Sequence, residues 1–315
     1  MKPSPLIPDF PSEVVSAHMA AQCSRWTDYV MLAKPRISFL VLFTVGAGVL
    51  LASGLQFSIS ILIHAVVGTA IVATGASALN QWLEIDTDSL MRRTQNRPLP
   101  TGRLDSLEVL LFGCLCGLLG TSYLIFLLPN TLPGLLAAFT FLTYVFIYTP
   151  LKKHSSLNTL VGAIPGAMPP LIGWTAVRGE ISVEGIVLFM ILFVWQIPHF
   201  LAIAWMYKDE YRKAGLQMLP ISDPDGRATG RQMIYYCLAL VSVSIMPVFL
   251  HTGGWIYLVG ALWLGWTFTL SSFRFFNDRT FDRAKQVLRT SIIYLPGLLA
   301  MLILDRALDS IFSWY

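Results

Sequence analysis

From about residue 37 to residue 308 the chain is a succession of long apolar runs separated by short polar turns. The hydrocarbon core of a bilayer, about 30 Å thick, demands roughly 20 apolar residues per helical crossing. By that measure nine spans are predicted, over 37–54, 58–82, 107–128, 131–149, 157–177, 185–206, 232–251, 254–273 and 290–308. Segments this apolar must pair their backbone groups internally, so each is a helix, and the expected fold class is an all-α polytopic membrane bundle. Residues 1–35 are read as a cytoplasmic N-terminal segment, 36–310 as the transmembrane domain and 311–315 as a C-terminal tail.

Composition sharpens this picture. With 55% hydrophobic and only 13% charged residues, against about 25% charged in an ordinary soluble domain, the chain cannot hide its apolar surface in a water-soluble core. Of its 22 lysines and arginines, 20 fall in the N-terminal segment and the 2–3, 4–5, 6–7 and 8–9 loops, leaving Arg178 and Arg306 on the other side. That bias places the N-terminus and those four loops in the cytoplasm, independently supports an odd number of spans, and puts the expected C-terminus in the periplasm of a bacterial inner membrane. Residues 1–35 have no apolar signal core and few arginines, so no secretory or mitochondrial targeting segment is evident. The stretch from Glu13 to Ala33 is compatible with a surface helix of modest amphipathicity. Lipid is the expected macroscopic partner, and no nucleic-acid partner is expected. Cys23, Cys114, Cys116 and Cys237 show no metal or disulfide spacing and read as packing residues.

Chemistry concentrates where the second span ends, in NQWLEIDTDSLMRRTQNRPLPTGR from Asn80 to Arg103. Residues four apart share a helix face, so Asn80, Glu84 and Asp88 form a line of oxygen ligands while Asp86 falls elsewhere. A hard cation such as Mg²⁺ commonly sits between one or two protein carboxylates and substrate phosphates, which suits so sparse a ladder. Arg92, Arg93, Arg97 and Arg103 follow, and guanidinium forks match phosphate oxygens. Pro98, Pro100 and Gly102 then stop the helix. The competing explanation is an ordinary cytoplasmic loop whose arginines only set topology.

A second polar cluster, YKDEYRKAG, ends the sixth span four spans later, which suggests two four-helix pseudo-repeats plus one helix, with both acidic clusters at one depth. Asp209 and Glu210 are its candidate metal ligands, Lys208 and Arg212 its candidate phosphate contacts, and Tyr207 and Tyr211 flank them at helical spacing. The same residues would also make a solvated ion-pair loop worth little energy. Lys152 and Lys153, in the 4–5 loop beside His154, would add positive charge next to the first cluster if the spans pack in order. The fifth span carries Gly162, Pro165, Gly166, Pro169, Pro170 and Gly173 and reads as a repeatedly broken helix, with close helix packing as the default role and a cavity wall as the sharper one. His199, in WQIPHF within the sixth span, is ionisable at membrane depth, where such a residue is a functional candidate able to ligate haem iron or donate to a propionate; local support of the Pro198 kink is the alternative.

Five stretches carry a resemblance: AKPRISFLVLFT, the Asn80–Arg103 motif, YTPLKKHSSLNTLVGAIPGAMPPLIGW, WQIPHFLAIAW and KDEYRKAGLQMLP. In these the chain resembles the UbiA-type membrane prenyltransferases, specifically the protohaem IX farnesyltransferase (haem O synthase) family, from Ala33 to the last span. The resemblance implies a nine-helix enzyme that uses Mg²⁺ to help transfer a farnesyl group from farnesyl diphosphate to a vinyl group of haem B, giving haem O. Haem B is then a substrate rather than a cofactor, and a downstream haem A synthase is a candidate partner. The superfamily's first motif has aspartate where this chain has Glu84, which keeps the charge and lengthens the reach; its second motif, Asp spaced by four, is replaced by YKDEY. Because departing diphosphate leaves an allylic cation, aromatic faces at lipid depth would stabilise it, and Trp82, Tyr144 and Trp195 are candidates by position. Two rivals are a sister prenyltransferase acting on an aromatic or quinone precursor and a carrier for an anionic metabolite. The carrier fits less well because its charges belong at the bilayer midplane, whereas these lie at one surface.

Overall fold

The structure is a computed structural model that describes residues 25–54 and 57–312, with side chains to 308. Residues 1–24, which include most of the predicted N-terminal surface helix, and residues 313–315 of the tail lie outside the described residues; 25–32 are helical. Among the described residues nine helices are long and apolar enough to cross a membrane: α1 (Pro35–Ser53), α2 (Ile59–Leu83), α3 (Ser106–Leu127), α4 (Leu132–Leu151), α5 (Asn158–Arg178), α6 (Val183–Met206), α7 (Arg227–Phe249), α8 (Trp255–Asn277) and α9 (Phe281–Leu308). Most predicted ends agree to within two residues, but α7 and α9 begin five and nine residues earlier than expected. Arg227, Arg231, Arg283, Lys285 and Arg289 therefore ride on helical turns that project from the apolar layer instead of lying in loops. Hydropathy marks where the lipid begins; it does not mark where backbone hydrogen bonding begins.

Neighbouring spans pack α1 on α2, α2 on α3, α3 on α4 and α4 on α5, and the same pairing recurs four helices later from α5 to α9. The pair α2 with α5 likewise recurs as α6 with α9, as two four-helix units plus one helix require, and α1 also touches α9. The tightest junction is between α1 and α5. A Cβ built on Gly173 would stand 2.0 Å from the Val45 carbonyl oxygen, and one on Gly48 would stand 2.1 Å from that of Pro170. Only glycine permits that approach, in which dispersion between close backbones replaces the hydrophobic drive that lipid does not supply.

Contrary to the broken helix expected, α5 runs continuously through Pro165, Pro169 and Pro170. The Gln196 side chain of α6 packs on this stretch and donates to the Ala163 carbonyl at 3.3 Å. Of the sharper reading, a kinked wall around a cavity, the structure has the wall on a continuous helix. Pro165, Gly166, Pro169 and Ile172 form one wall of a cavity of about 170 Å³ whose other walls come from α1, α2 and α4.

Candidate active site

The ladder forms at a bend rather than on one straight helix. α2 ends at Leu83, and a short helix, Ile85–Ser89, follows Glu84. The i to i+4 bonds continue across the junction, with the Glu84 N–H to the Asn80 carbonyl at 3.1 Å and the Asp88 N–H to the Glu84 carbonyl at 2.7 Å. Asn80, Glu84 and Asp88 consequently share one face, and all three are buried, Asp88 completely at 0% exposure; Asp86 is exposed.

Each rung meets a different partner from another part of the chain. Lys34 Nζ donates to Asn80 Oδ1 at 2.9 Å, and Asn80 Nδ2 donates to Thr149 Oγ1 at 3.2 Å. Lys152 Nζ donates to Glu84 Oε1 at 2.7 Å, and Arg97 pairs with Asp88 Oδ2. Local sequence explains how these arrive. Lys34 sits at φ +48°, the left-handed region that a side chain seldom occupies; Pro35, with its fixed φ, opens α1 immediately afterwards. In α4, Pro150 lacks an N–H, and the turn before it, Thr143–Tyr148, is a π-helix that ends with Thr149 donating through its hydroxyl to the Tyr144 carbonyl at 2.8 Å. The wide turn swings Thr149 and Tyr144 toward α2.

The charges are strongly coupled. Burial opposes ionisation of Glu84, but Lys152, then Lys34 and Arg97, outweigh it and hold its carboxyl below the usual carboxylate range. Lys152 is correspondingly raised, Glu84 overcoming the cost of burial. Lys34 is pulled down to about 7 by burial, with Arg97 adding to the effect. At Asp88 burial wins over Arg97 and the carboxyl sits above its usual range. Its second oxygen, Oδ1, is buried with no hydrogen-bond partner. A buried, unpartnered carboxylate oxygen short of positive charge is a fit for a hard divalent cation. Among the described residues no three His, Cys, Asp or Glu side chains converge closely enough to hold a metal by themselves. Protein oxygens from Asn80, Glu84 and Asp88 would thus supply only part of a coordination shell, leaving the rest to phosphate and water.

The 2–3, 4–5 and 6–7 loops do come together. The Gln217 N–H donates to the Lys152 carbonyl at 2.7 Å, joining the 6–7 loop to the 4–5 loop. Met91 of the 2–3 loop packs with Tyr207, Tyr211 and Leu216. Arg93 reaches Tyr211 Oη at 3.4 Å and lies 5.3 Å from the Tyr207 ring centroid. The tyrosines rather than the acids face the first cluster, because Tyr207 and Tyr211 are one turn apart while Asp209 lies half a turn round. Asp209 is exposed and pairs with Arg212 at 3.6 Å; Glu210 is half-buried. Lys208 lies over the Trp205 ring at 4.1 Å. Arg92 and Lys153 are exposed at the rim, and Arg103 turns away to Asp28 at 2.8 Å.

Lys34, Thr149 and the π-turn were missed as site residues. Lys34 stood in the sequence only as a basic residue before Pro35 in the AKPRISFLVLFT stretch, with no role assigned to it. Of the three aromatic candidates, Tyr144 lines the cavity, whereas Trp82 bonds Ser106 on the α3 side and Trp195 bonds the Ser291 carbonyl of α9. His199 stacks on Trp195 with centroids 4.8 Å apart, and its Nδ1 meets Ser291 Oγ at 2.7 Å, between α6 and α9. The cavity begins beneath the ladder, between Lys34 and Tyr144, and runs down the α2 face through Ser77, Ala73 and Thr69.

Comparison with known proteins finds relatives over most of the chain. The model of the UbiA prenyltransferase family matches residues 41–293. A protoheme IX farnesyltransferase of Solibacter usitatus is 46% identical over 288 residues, covering 89% of this chain and 98% of that one. One of Salinibacter ruber is 44% identical over 278 residues, covering 88% and 98%. A solved digeranylgeranylglyceryl phosphate synthase shares the fold at a TM-score of 0.76 and 18% identity, over 90% of this chain and 99% of that one. A UbiA homolog from Archaeoglobus fulgidus, solved with GPP and Mg²⁺, shares it at 0.59 and 16% identity, over 87% and 99%. With the family model spanning most of the bundle and relatives aligned nearly end to end, this chain belongs to the UbiA prenyltransferase family.

Proposed function

We propose that this integral membrane enzyme transfers a farnesyl group from farnesyl diphosphate to a vinyl group of haem B, producing haem O and diphosphate. The observation that carries the reading is the adjacency of the two halves of the site: a buried, cation-lined ladder stands one turn above an apolar cavity and shares Lys34 with its wall. A prenyl diphosphate has the same division between a charged head and a greasy tail. Relatives called protoheme IX farnesyltransferase, aligned over most of the chain, support haem as the acceptor.

Asn80, Glu84 and Asp88 would hold Mg²⁺, and Lys34, Arg97 and Lys152 converge where they can neutralise the diphosphate. Bound there, Mg²⁺ supplies Lewis-acid stabilisation of the leaving group. The C–O bond at the allylic carbon breaks, with its electron pair leaving on diphosphate. Tyr144 and the apolar walls face the resulting allylic cation and keep bulk water from it. The vinyl π electrons then form the new C–C bond, and water adds to the cation left on the haem side and loses a proton, which completes the hydroxyethylfarnesyl group. Asp209 and Glu210, with Lys208, Arg212, Arg92, Arg93 and Lys153, stand at the rim of the same face and are assigned to capture of metal and diphosphate. His199, its ring fixed by Ser291, is assigned to the haem.

We place the site, the N-terminus and the four basic loops on the cytoplasmic side of a bacterial inner membrane, with the C-terminus periplasmic; a haem A synthase is the proposed recipient of the product. Purified protein given haem B, labelled farnesyl diphosphate and Mg²⁺ should yield farnesylated, hydrated haem by mass. Prenyl transfer to an aromatic acid or quinone precursor, with none to haem, would replace the acceptor.

A further inference from the structure

We infer that the chain measures the length of its prenyl donor, and that the measuring surface is the closed floor formed by Val72 and Thr69 of α2, Ala137 of α4 and Ile172 of α5. This rests on the proposed reading of the cavity as the prenyl site and adds to it which residues set the chain length.

The cavity exists because α1 and α5 diverge near the cytoplasmic face and meet again below. On that side its wall is Lys34, just before α1, and Ile37, Ser38 and Val41 of α1. One turn beneath Val41 the glycine junction closes that side, with Gly173 against the Val45 carbonyl and Gly48 against that of Pro170. Under the other walls lies a packed cluster in which Val45, Ala65 and Ala137 are each 0% exposed, with Ile172 at 1%, so the space ends in contiguous side chains.

Two helices give its depth independently. Asn80 and Thr149 are hydrogen bonded and therefore level. From Asn80 down to Thr69 is eleven α-helical residues, which at 1.5 Å per residue is about 16 Å, and the twelve from Thr149 down to Ala137, six of them in or next to the slower-rising π-turn, cover a similar depth. A chain of three isoprene units, extended at the ~1.2 Å advance per bond of a stretched backbone, spans about 13 Å. Starting just beneath the ladder, near Ser77, it reaches the floor. A fourth unit would add about 5 Å and meet the packed cluster. A chain one unit shorter would leave the lowest walls without contacts. Because interiors resist deformation, neither misfit is easily relaxed.

The test reads chain-length preference in reconstituted enzyme, comparing geranyl, farnesyl and geranylgeranyl diphosphates with haem B as acceptor. The same three lengths are also titrated as non-transferable thiolodiphosphates. Ala137→Leu raises the floor and should lower kcat/KM for farnesyl about tenfold or more while changing geranyl little. Ile172→Ala lowers it and should raise geranylgeranyl relative to farnesyl by about tenfold. If Ala137→Leu proves unstable in a thermal melt, Ile172→Ala decides alone. Farnesylation of haem with the same length ranking in a stable variant overturns the inference. Length-ranked binding of the thiolodiphosphates that shifts in the variants, without transfer to haem by the unmodified protein, upholds the ruler and overturns the acceptor.

Discussion

Replacing Lys152 by methionine is the most informative single perturbation of the ladder, because it removes one charge and nearly preserves the stem. Lys152 and Glu84 are 2.7 Å apart with side chains 12% and 10% exposed. At an effective dielectric near 20 the attraction at that separation is about 6 kcal/mol. Desolvation of both groups offsets most of it, so the pair contributes little net stability, whereas stripping one partner leaves an uncompensated buried carboxylate at about 3–5 kcal/mol. Lys152→Met should lose stability in that range in denaturant titration of the detergent-solubilised protein. Without Lys152 the burial of Glu84 prevails, its carboxyl moves from below to above the usual range, and the stability defect shrinks as pH falls and Glu84 takes a proton. Combining Lys152→Met with Glu84→Gln should restore most of the stability, a coupling of at least about 2 kcal/mol, while prenyl transfer stays at least a hundredfold below the unmodified protein. Additive losses in the cycle would show that the contact does not compensate charge; full activity in the double variant would refute the assignment of both residues to the metal and diphosphate site.

Asp88→Asn keeps shape and burial but removes the charge facing the unpartnered Oδ1 position; it should cost about 1.5–3 kcal/mol through the weakened Arg97 bond, and at limiting Mg²⁺ it should abolish transfer in a still-folded protein. Asp209→Ala should leave stability unchanged, since an exposed pair of this kind is worth at most about 1 kcal/mol, yet raise the Mg²⁺ concentration needed for half-maximal rate; an unchanged Mg²⁺ titration would remove Asp209 from the site. His199→Ala should weaken haem binding by roughly tenfold to more than a hundredfold, as for one lost charge-assisted bond, with the farnesyl diphosphate requirement nearly fixed; parallel loss of both responses and of stability would assign His199 to packing on Trp195 and Ser291. Accessibility tags after Arg103, Lys153 and Arg227 should report cytoplasm and tags at Gly179 and the C-terminus the opposite side; a cytoplasmic C-terminus would contradict the charge bias.

What the sequence by itself determined is local or one-dimensional. Nine spans followed from run length, and the common face of Asn80, Glu84 and Asp88 followed from helical period, which survived even the bend at Glu84. The tertiary structure decided which cation meets which oxygen. Lys34 reaches Asn80 from 46 residues away and Lys152 reaches Glu84 from 68, and no periodicity encodes contacts between loops of different hairpins. It also decided that Tyr207 and Tyr211, rather than Asp209, face the first cluster, because the rotation of a short helix is fixed by what its apolar side packs on, here Met91. The cavity depth is tertiary for the same reason. Glycines in α1 and α5 were visible as small residues, but only their opposition across two distant spans closes the α1 side of the cavity.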